Sequence, residues 1–250
     1  MREPVTALVT TLNEERNIRD CLASVAWADE ILLVDSGSTD DTLKISEQFK
    51  PRVLEHEYVN AAAQKNWAIP QAKHDWVLIV DADERVSPEL RLEIERILLQ
   101  GPQHPGYYIK RENYFFGRKV RHCGWQRDYV LRLFDRRKGK YEEKWVHADV
   151  VLDGEPGRIE QVLTHYTYRD WDEYFERFKR YTTWAAKDLF EAGKKAGFFN
   201  LFLRPMFRFY KQYVWHAGFL DGRTGLILCM LSAFSVFTKY AKLYQMRKET

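Results

Sequence analysis

The sequence predicts an α/β fold, a mostly parallel sheet with helices on both faces, followed by a C-terminal helical extension. Three observations predict it. Apolar runs VTALVTT (5–11), ILLV (31–34) and WVLIV (76–80) alternate with segments of helical periodicity. Each of these runs ends in a polar cluster: Asn13-Glu14-Glu15, Asp35-Ser36-Gly37-Ser38 and Asp81-Ala82-Asp83-Glu84. Finally, the pattern turns helical beyond Thr164 and the charge changes sign. Residues 1–170 carry 25 basic and 29 acidic side chains, and residues 171–250 carry 14 and 7. Two jobs are expected of two regions, 1–165 and 166–250.

Val5–Thr11 is a β-rich strand, and Asn13 is expected to cap the helix in which Ile18, Leu22 and Val25 recur. Ile31–Val34 is a second buried strand, stopped by the Asp35 turn. A helix over roughly 41–49 leads to a third strand near 53–55, and another helix over 61–69 precedes the strand 76–80. Pro88 opens a helix that Gly101-Pro102 ends. Residues 107–152 read as short strands and loops, with Tyr129–Phe134 the clearest strand.

The composition excludes several classes. The chain has 250 residues, 45% hydrophobic and 15% aromatic, with 39 basic against 36 acidic side chains. That is too apolar for a disordered chain and has no coiled-coil or collagen repeat. Cys21, Cys123 and Cys229 form no CxxC pair, which argues against a disulfide framework or zinc ribbon. Met1-Arg2-Glu3-Pro4 runs straight into a strand with no signal peptide, so a cytoplasmic location is expected. No GxGxxG follows the first strand and no GxxxxGK[ST] occurs, which disfavours a dinucleotide or P-loop enzyme.

In open α/β sheets, ligands sit beyond the carboxyl ends of the strands. Turns alone would supply Gly, Asn and Asp there, but not acids at each buried strand end. Asp81-x-Asp83, directly after five apolar residues, offers two hard carboxylate ligands for Mg²⁺ or Mn²⁺. A cation so held would neutralise a diphosphate leaving group.

Together, VTALVTTLNEERNI, ILLVDSGSTDDT, AAAQKNWAI and WVLIVDADERV resemble, in order and spacing, the family 2 nucleotide-sugar glycosyltransferases of GT-A fold. The resemblance covers residues 5 to about 150. GWQRDYVLRLF followed by WVHADV is similar to a narrower group, bacterial lipopolysaccharide-core β-1,4-glucosyltransferases acting on inner-core heptose. The resemblance implies that Thr11, Leu12 and Glu14 line a nucleoside pocket, with Glu14 near the ribose. Asp35 would accept from the uracil imide, and Lys65 would reach the base or diphosphate. Asp81 would contact ribose or metal, and Asp83 would be the main metal ligand. His147 is a further candidate ligand, since enzymes of this fold often use a histidine from this region.

An inverting transferase needs a carboxylate to deprotonate the acceptor hydroxyl. Asp128 occupies the region where the family carries its base, with Glu142, Glu143 and Asp149 as rivals. The usual family form is Glu-Asp; here Arg127 precedes the acid, and an adjacent guanidinium lowers a carboxylate's pKa. Arg132 is a potential salt-bridge partner for Asp128. Trp125 could stack on a sugar or pack in the core, and Arg121 and Arg127 suit phosphate groups.

The tail mixes aromatics with Arg204, Arg208, Lys211 and Arg223, opposed in 198–223 by Asp221 alone. The fifteen residues 224–238 lack charge, fewer than the roughly 20 needed to span a bilayer. A peripheral, interfacial helical region on the inner face of the cytoplasmic membrane is therefore expected. Packing on a second subunit is the competing use. Nothing else supports nucleic-acid binding. The implied activity moves a hexose, glucose for the narrower group, from a UDP-sugar to a lipid-linked saccharide, the lipopolysaccharide inner core. A polyprenyl-phosphate acceptor, or a non-catalytic binding protein on the same scaffold, are the alternatives.

Overall fold

The computed structural model describes residues 2–142 and 149–248. They divide into two compact units, Met1–Arg111 with Tyr129–His165, and Glu112–Asp128 with Tyr166–Thr250.

The first unit begins with β1 (Val5–Thr11), α1 (Ile18–Val25), β2 (Glu30–Asp35) and α2 (Thr42–Ser46). β3 (Arg52–Glu55), α3 (Ala61–Ala68), β4 (Trp76–Asp81), β5 (Glu84–Val86) and α4 (Pro88–Gln100) follow. β6 (Gly106–Phe115), β7 (Arg118–Lys119), β8 (Tyr129–Asp135), β9 (Gly139–Tyr141), β10 (Val150–Leu152) and β11 (Gly157–Tyr168) complete the strands. The main sheet runs β3-β2-β1-β4-β8-β6-β11-β5. β3, β2, β1 and β4 are mutually parallel, whereas β8 pairs antiparallel with β4 and with β6. The parallel half follows from the βαβ pattern; the antiparallel half comes from the region read as short strands and loops.

Alternate residues of β1 serve opposite cores. Val5, Ala7 and Val9 join α1 and α4 through Ile18, Leu22, Leu90 and Ile94, while Leu8 joins Leu32, Val77 and α3. Burial on both faces is what the unbroken apolar runs require. The register then sets the functional edge: Thr11 lies opposite Asp35, and Thr10 opposite Asp81.

Two sequence expectations change. Asn13 does not cap α1; Asn17 occupies that position, and Asn13 adopts a left-handed φ of 54° and bonds the neighbouring loop. The chain also stays extended past Thr164, because β11 continues to Tyr168 with Leu163 and Thr167 buried. The helix starts only after Asp170, whose side chain accepts from the Glu173 amide.

The second unit contains β7, the ends of β6 and β11 from Glu112 and Tyr166 onward, and three helices, α5 (Trp171–Glu191), α6 (Arg204–Tyr210) and α7 (Gly222–Lys248). π-helical turns extend α6 at both ends, over Phe199–Leu203 and Lys211–Trp215. Phe115, Val120, Cys123, Tyr174, Leu228 and Cys229 form its core. All three cysteines are free, yet the Cys123 and Cys229 sulfurs lie 3.7 Å apart, a meeting their sequence spacing does not disclose. Residues 218–248 form a helical stretch of 31 residues that is, by length and composition, long and apolar enough to cross a membrane. The uncharged run of fifteen is the shorter because Arg223 and Lys239 bound it, while the helix continues past Lys239. Gly225 of α7 faces the 218–221 turn, where a Cβ would come within 2.0 Å of the Gly218 carbonyl oxygen. Gly225→Ala is expected to cost about 1–3 kcal/mol or more in urea unfolding, since backbone must move to admit the methyl.

Candidate functional site

The carboxyl ends of β1, β2 and β4 bring Thr11, Asp35 and Asp81 to one edge of the sheet. Asp35 is buried, and its carboxylate accepts from the amides of Gly37 and Ser38 and from the Ser38 hydroxyl. It thereby builds the turn that Gly37, at φ 86°, allows. The loops after β1 and β2 are cross-tied. The Asn13 amide donates to Ser38 Oγ, the Thr39 amide to Asn13 Oδ1, and the amides of Glu14 and Glu15 to Thr42 Oγ1 and Asp40. Leu12 and Glu14 are half-buried there, and Glu14 accepts from Asn17 Nδ2 at 2.6 Å. The Thr11 hydroxyl is buried with no hydrogen-bond partner among the described residues.

Asp81 is the centre of an ion network. Its Oδ1 accepts from Lys65 Nζ at 2.7 Å and Thr10 Oγ1 at 3.1 Å, and its Oδ2 from an Arg132 nitrogen at 2.5 Å. The same Arg132 nitrogen bonds Glu84 at 2.8 Å, and Arg111 approaches Glu84 at 3.6 Å. Glu84 is wholly buried and its other oxygen accepts from the Asp81 amide. Burial acts to raise the Asp81 carboxyl, but Arg132 and then Lys65 outweigh it and hold the group well below the usual carboxylate range. Arg132 is itself buried and stays charged between its two acids. Lys65 is buried too, on α3 and 5.5 Å from the Tyr141 ring centre, and is no surface helix lysine.

Asp83 is buried, and His165 Nε2 lies 3.8 Å from its Oδ2. Asp81 holds two cationic side chains, and an imidazole lies beside Asp83. Among the described residues, no group of three or more His, Cys, Asp or Glu side chains is placed to hold a metal ion. His147 and the rival acid Glu143 lie outside the described residues.

Asp128 belongs to the second unit. Its amide closes the turn on Trp125, and its carboxylate accepts from Asn113 Nδ2 at 2.8 Å. Trp125 packs edge-on against Phe115 at 6.4 Å, and Arg121 and Arg127 are exposed. Glu142 and Asp149 bond each other through backbone and side chain.

Sequence reasoning missed Thr10, Glu84, Arg111 and His165, and gave Arg132 the wrong partner to test, since it meets Asp81 and Glu84. For Arg132 a signal existed: in YVLRLF an arginine on a buried strand needs anions, and DADE supplies them. His165 carries no such signal, because only the pairing of β11 with β5 brings it opposite Glu84.

The family model described as glycosyl transferase family 2 matches residues 6–150. The lipopolysaccharide core biosynthesis glycosyltransferase LpsC of Rhizobium meliloti is 30% identical over 252 residues, 95% of this chain and 93% of that protein. An uncharacterized glycosyltransferase of Rickettsia felis is 29% identical, covering 96% and 89%. Among solved structures, S. aureus TarS 1–349 in complex with UDP-GlcNAc aligns over 98% of this chain and 92% of its own, with a TM-score of 0.52 at 15% identity. That similarity bears on the fold alone: an α/β GT-A architecture with a C-terminal helical extension.

Proposed function

Because the chain belongs to glycosyl transferase family 2 and is a glycosyltransferase, we propose that it moves a hexose, glucose, from a UDP-sugar to a heptose of the lipopolysaccharide inner core. The observation that carries the proposal is the gathering of Thr11, Asp35, Lys65 and Asp81 at the carboxyl ends of parallel strands, with Asp83 two residues beyond. The choice of acceptor is supported by likeness to LpsC over nearly the whole of both chains. Catalysis is assigned to residues 1–165 and membrane attachment, on the cytoplasmic side, to residues 166–250.

In this reading the unpaired Thr11 hydroxyl, Leu12 and Glu14 receive the nucleoside, and Asp35 presents its turn to the base. Lys65, held by Asp81, sits ready for the diphosphate. Mg²⁺ or Mn²⁺ would be held by Asp83, a carboxylate of suitable hardness, with the neighbouring His165 and the sequence candidate His147 as nitrogen donors. Such a cation supplies charge neutralisation to the departing diphosphate. Asp81 fits that role less well, since both its oxygens already bind cationic side chains, and it serves to fix Lys65. Asp128 is the proposed base, and attack by the acceptor hydroxyl inverts the anomeric centre.

The test is calorimetric titration of UDP and GDP with Mn²⁺ and with EDTA, followed by transfer from UDP-sugars to heptose acceptors. Metal-dependent preference for UDP and a heptose-linked product support the proposal; a folded protein that binds neither nucleotide overturns it. Asp128→Asn is expected to lower turnover about 10²-fold or more with donor affinity little changed. Wild-type turnover in that variant moves the base role to Glu142, Glu143 or Asp149. The long apolar stretch 218–248 also suits a polyprenyl-phosphate acceptor, whose product would extract into organic solvent without heptose.

A further inference from the structure

In the second unit, the helix continuous from the π-turn at Phe199 to Trp215 is amphipathic in the reverse sense of a soluble protein's surface helix. Its solvent side is apolar: Phe199, Phe202, Met206, Phe207, Tyr210 and Val214 are all exposed, at the spacing of one helical face. Three of its polar side chains also bond protein groups, while Lys211 is exposed. Arg208 donates to Ser232 Oγ at 2.9 Å, Arg204 to the Tyr240 hydroxyl, and Gln212 to the Cys123 carbonyl. α7, which receives the two arginine bonds, also leaves Leu226, Met230, Phe234 and Phe237 exposed along one stripe. Trp215 at the end of the first helix is 75% exposed. An apolar area of this extent on a soluble surface marks an interaction site.

We infer that this face inserts into the headgroup and upper acyl region of an anionic lipid bilayer, with the two helices lying in the interface. The inference rests on the membrane-bound acceptor of the preceding subsection for its purpose, and on charge for its occupant. Residues 194–223 contain six basic side chains and one acid, Asp221. That acid is committed to the amides of Arg121 and His122 and to the His122 ring. Lys194, Lys195, Lys211 and Arg223 are exposed beside the aromatics. A second copy of the chain would set these cations against their own kind, whereas phosphatidylglycerol would neutralise them. The geometry also favours lying over crossing. The 31-residue stretch 218–248 is long enough to cross, yet Lys239 and Lys242 interrupt it, and Lys242 donates to the Thr182 and Thr183 hydroxyls of α5. Snorkelling arginines and lysines above a bed of Phe, Met and Trp are the makeup of an interfacial helix.

The test is flotation of the full chain with vesicles of phosphatidylcholine alone and of phosphatidylcholine with 30 mol% phosphatidylglycerol, alongside analytical ultracentrifugation without lipid. Binding to the anionic vesicles is expected, with Phe202→Glu/Phe207→Glu lowering it at least tenfold. Lys211→Gln/Arg223→Gln should lower it about fivefold for each cation removed. Brominated acyl chains should quench tryptophan fluorescence, and Trp215→Phe should remove most of that quenching. Calorimetric UDP binding should be unchanged in every variant, so failure here is separable from failure of the donor proposal. A folded protein that ignores anionic vesicles overturns the inference. So does a lipid-free dimer that Phe202→Glu/Phe207→Glu dissolves, since the face would then be a subunit interface.

Discussion

Asp83→Ala is expected to lower glycosyl transfer by about 10³-fold, the loss typical when a group that stabilises developing charge is removed. The fold should survive, because the ion pairs that tie β4 to β8 run through Asp81 and Glu84. Asp83→Asn keeps the volume and removes the charge, so it should match Ala in turnover. Two measurements are needed together: initial rates with saturating UDP-sugar and Mn²⁺, and UDP affinity with and without the metal. If Asp83 holds the cation, the metal-dependent gain in UDP affinity vanishes in both variants. A variant that turns over at the wild-type rate eliminates Asp83 as metal ligand.

Arg132→Met is expected to have the largest effect on stability, about 3–5 kcal/mol, because removal of one partner leaves buried charge uncompensated. Glu84 has no access to solvent, and Asp81 would retain Lys65 alone among its cationic partners described above. The loss should depend on pH in a defined sense. In the wild type the Asp81 pKa lies below its unfolded value of about 3.9. Its stabilising contribution is therefore complete above roughly pH 4 and disappears as the pH falls through the folded value. Without Arg132 that contribution shrinks, so the deficit should be greatest near neutrality and narrow in acid. Urea unfolding at pH 7 and at roughly pH 2 measures both; an equal deficit at the two values would show that packing, not charge, is Arg132's main contribution.

The part of the fold legible in the sequence was the part written in local pattern. Unbroken apolar runs on β1, β2 and β4 can be buried on both faces only in a parallel sheet, and the acids at their ends mark the edge where ligands sit. The antiparallel half was less legible. β6 begins with a register shift between Tyr107 and Tyr108, and its outer residues Lys110, Arg111 and Glu112 mask the alternation. The site divided along the same line. Asp35, Lys65, Asp81 and Asp83 stand out by motif, and Lys65 and Asp81 meet as an ion pair. Glu84 was read past because it follows two aspartates in what looks like a solvated turn, yet its burial makes it the counter-charge of Arg132. His165 and Asn113 depend on pairings across tens of residues, which no local window contains. Asn13 misled for a different reason: a polar residue after a strand suits a helix cap, but the left-handed backbone there turns its side chain toward the next loop.

The cross-ties between the Asn13 and Ser38 loops have a thermodynamic consequence. Asn13, Glu14 and Glu15 bond Ser38, Thr39, Asp40 and Thr42 across the two loops before anything binds. A ligand arriving at that edge meets a rigid receptor and forfeits little chain entropy there. Discrimination among ligands there is expected to lie in how well each matches a fixed mould, an ill-fitting one being refused by unpaired polar atoms rather than accommodated by rearrangement.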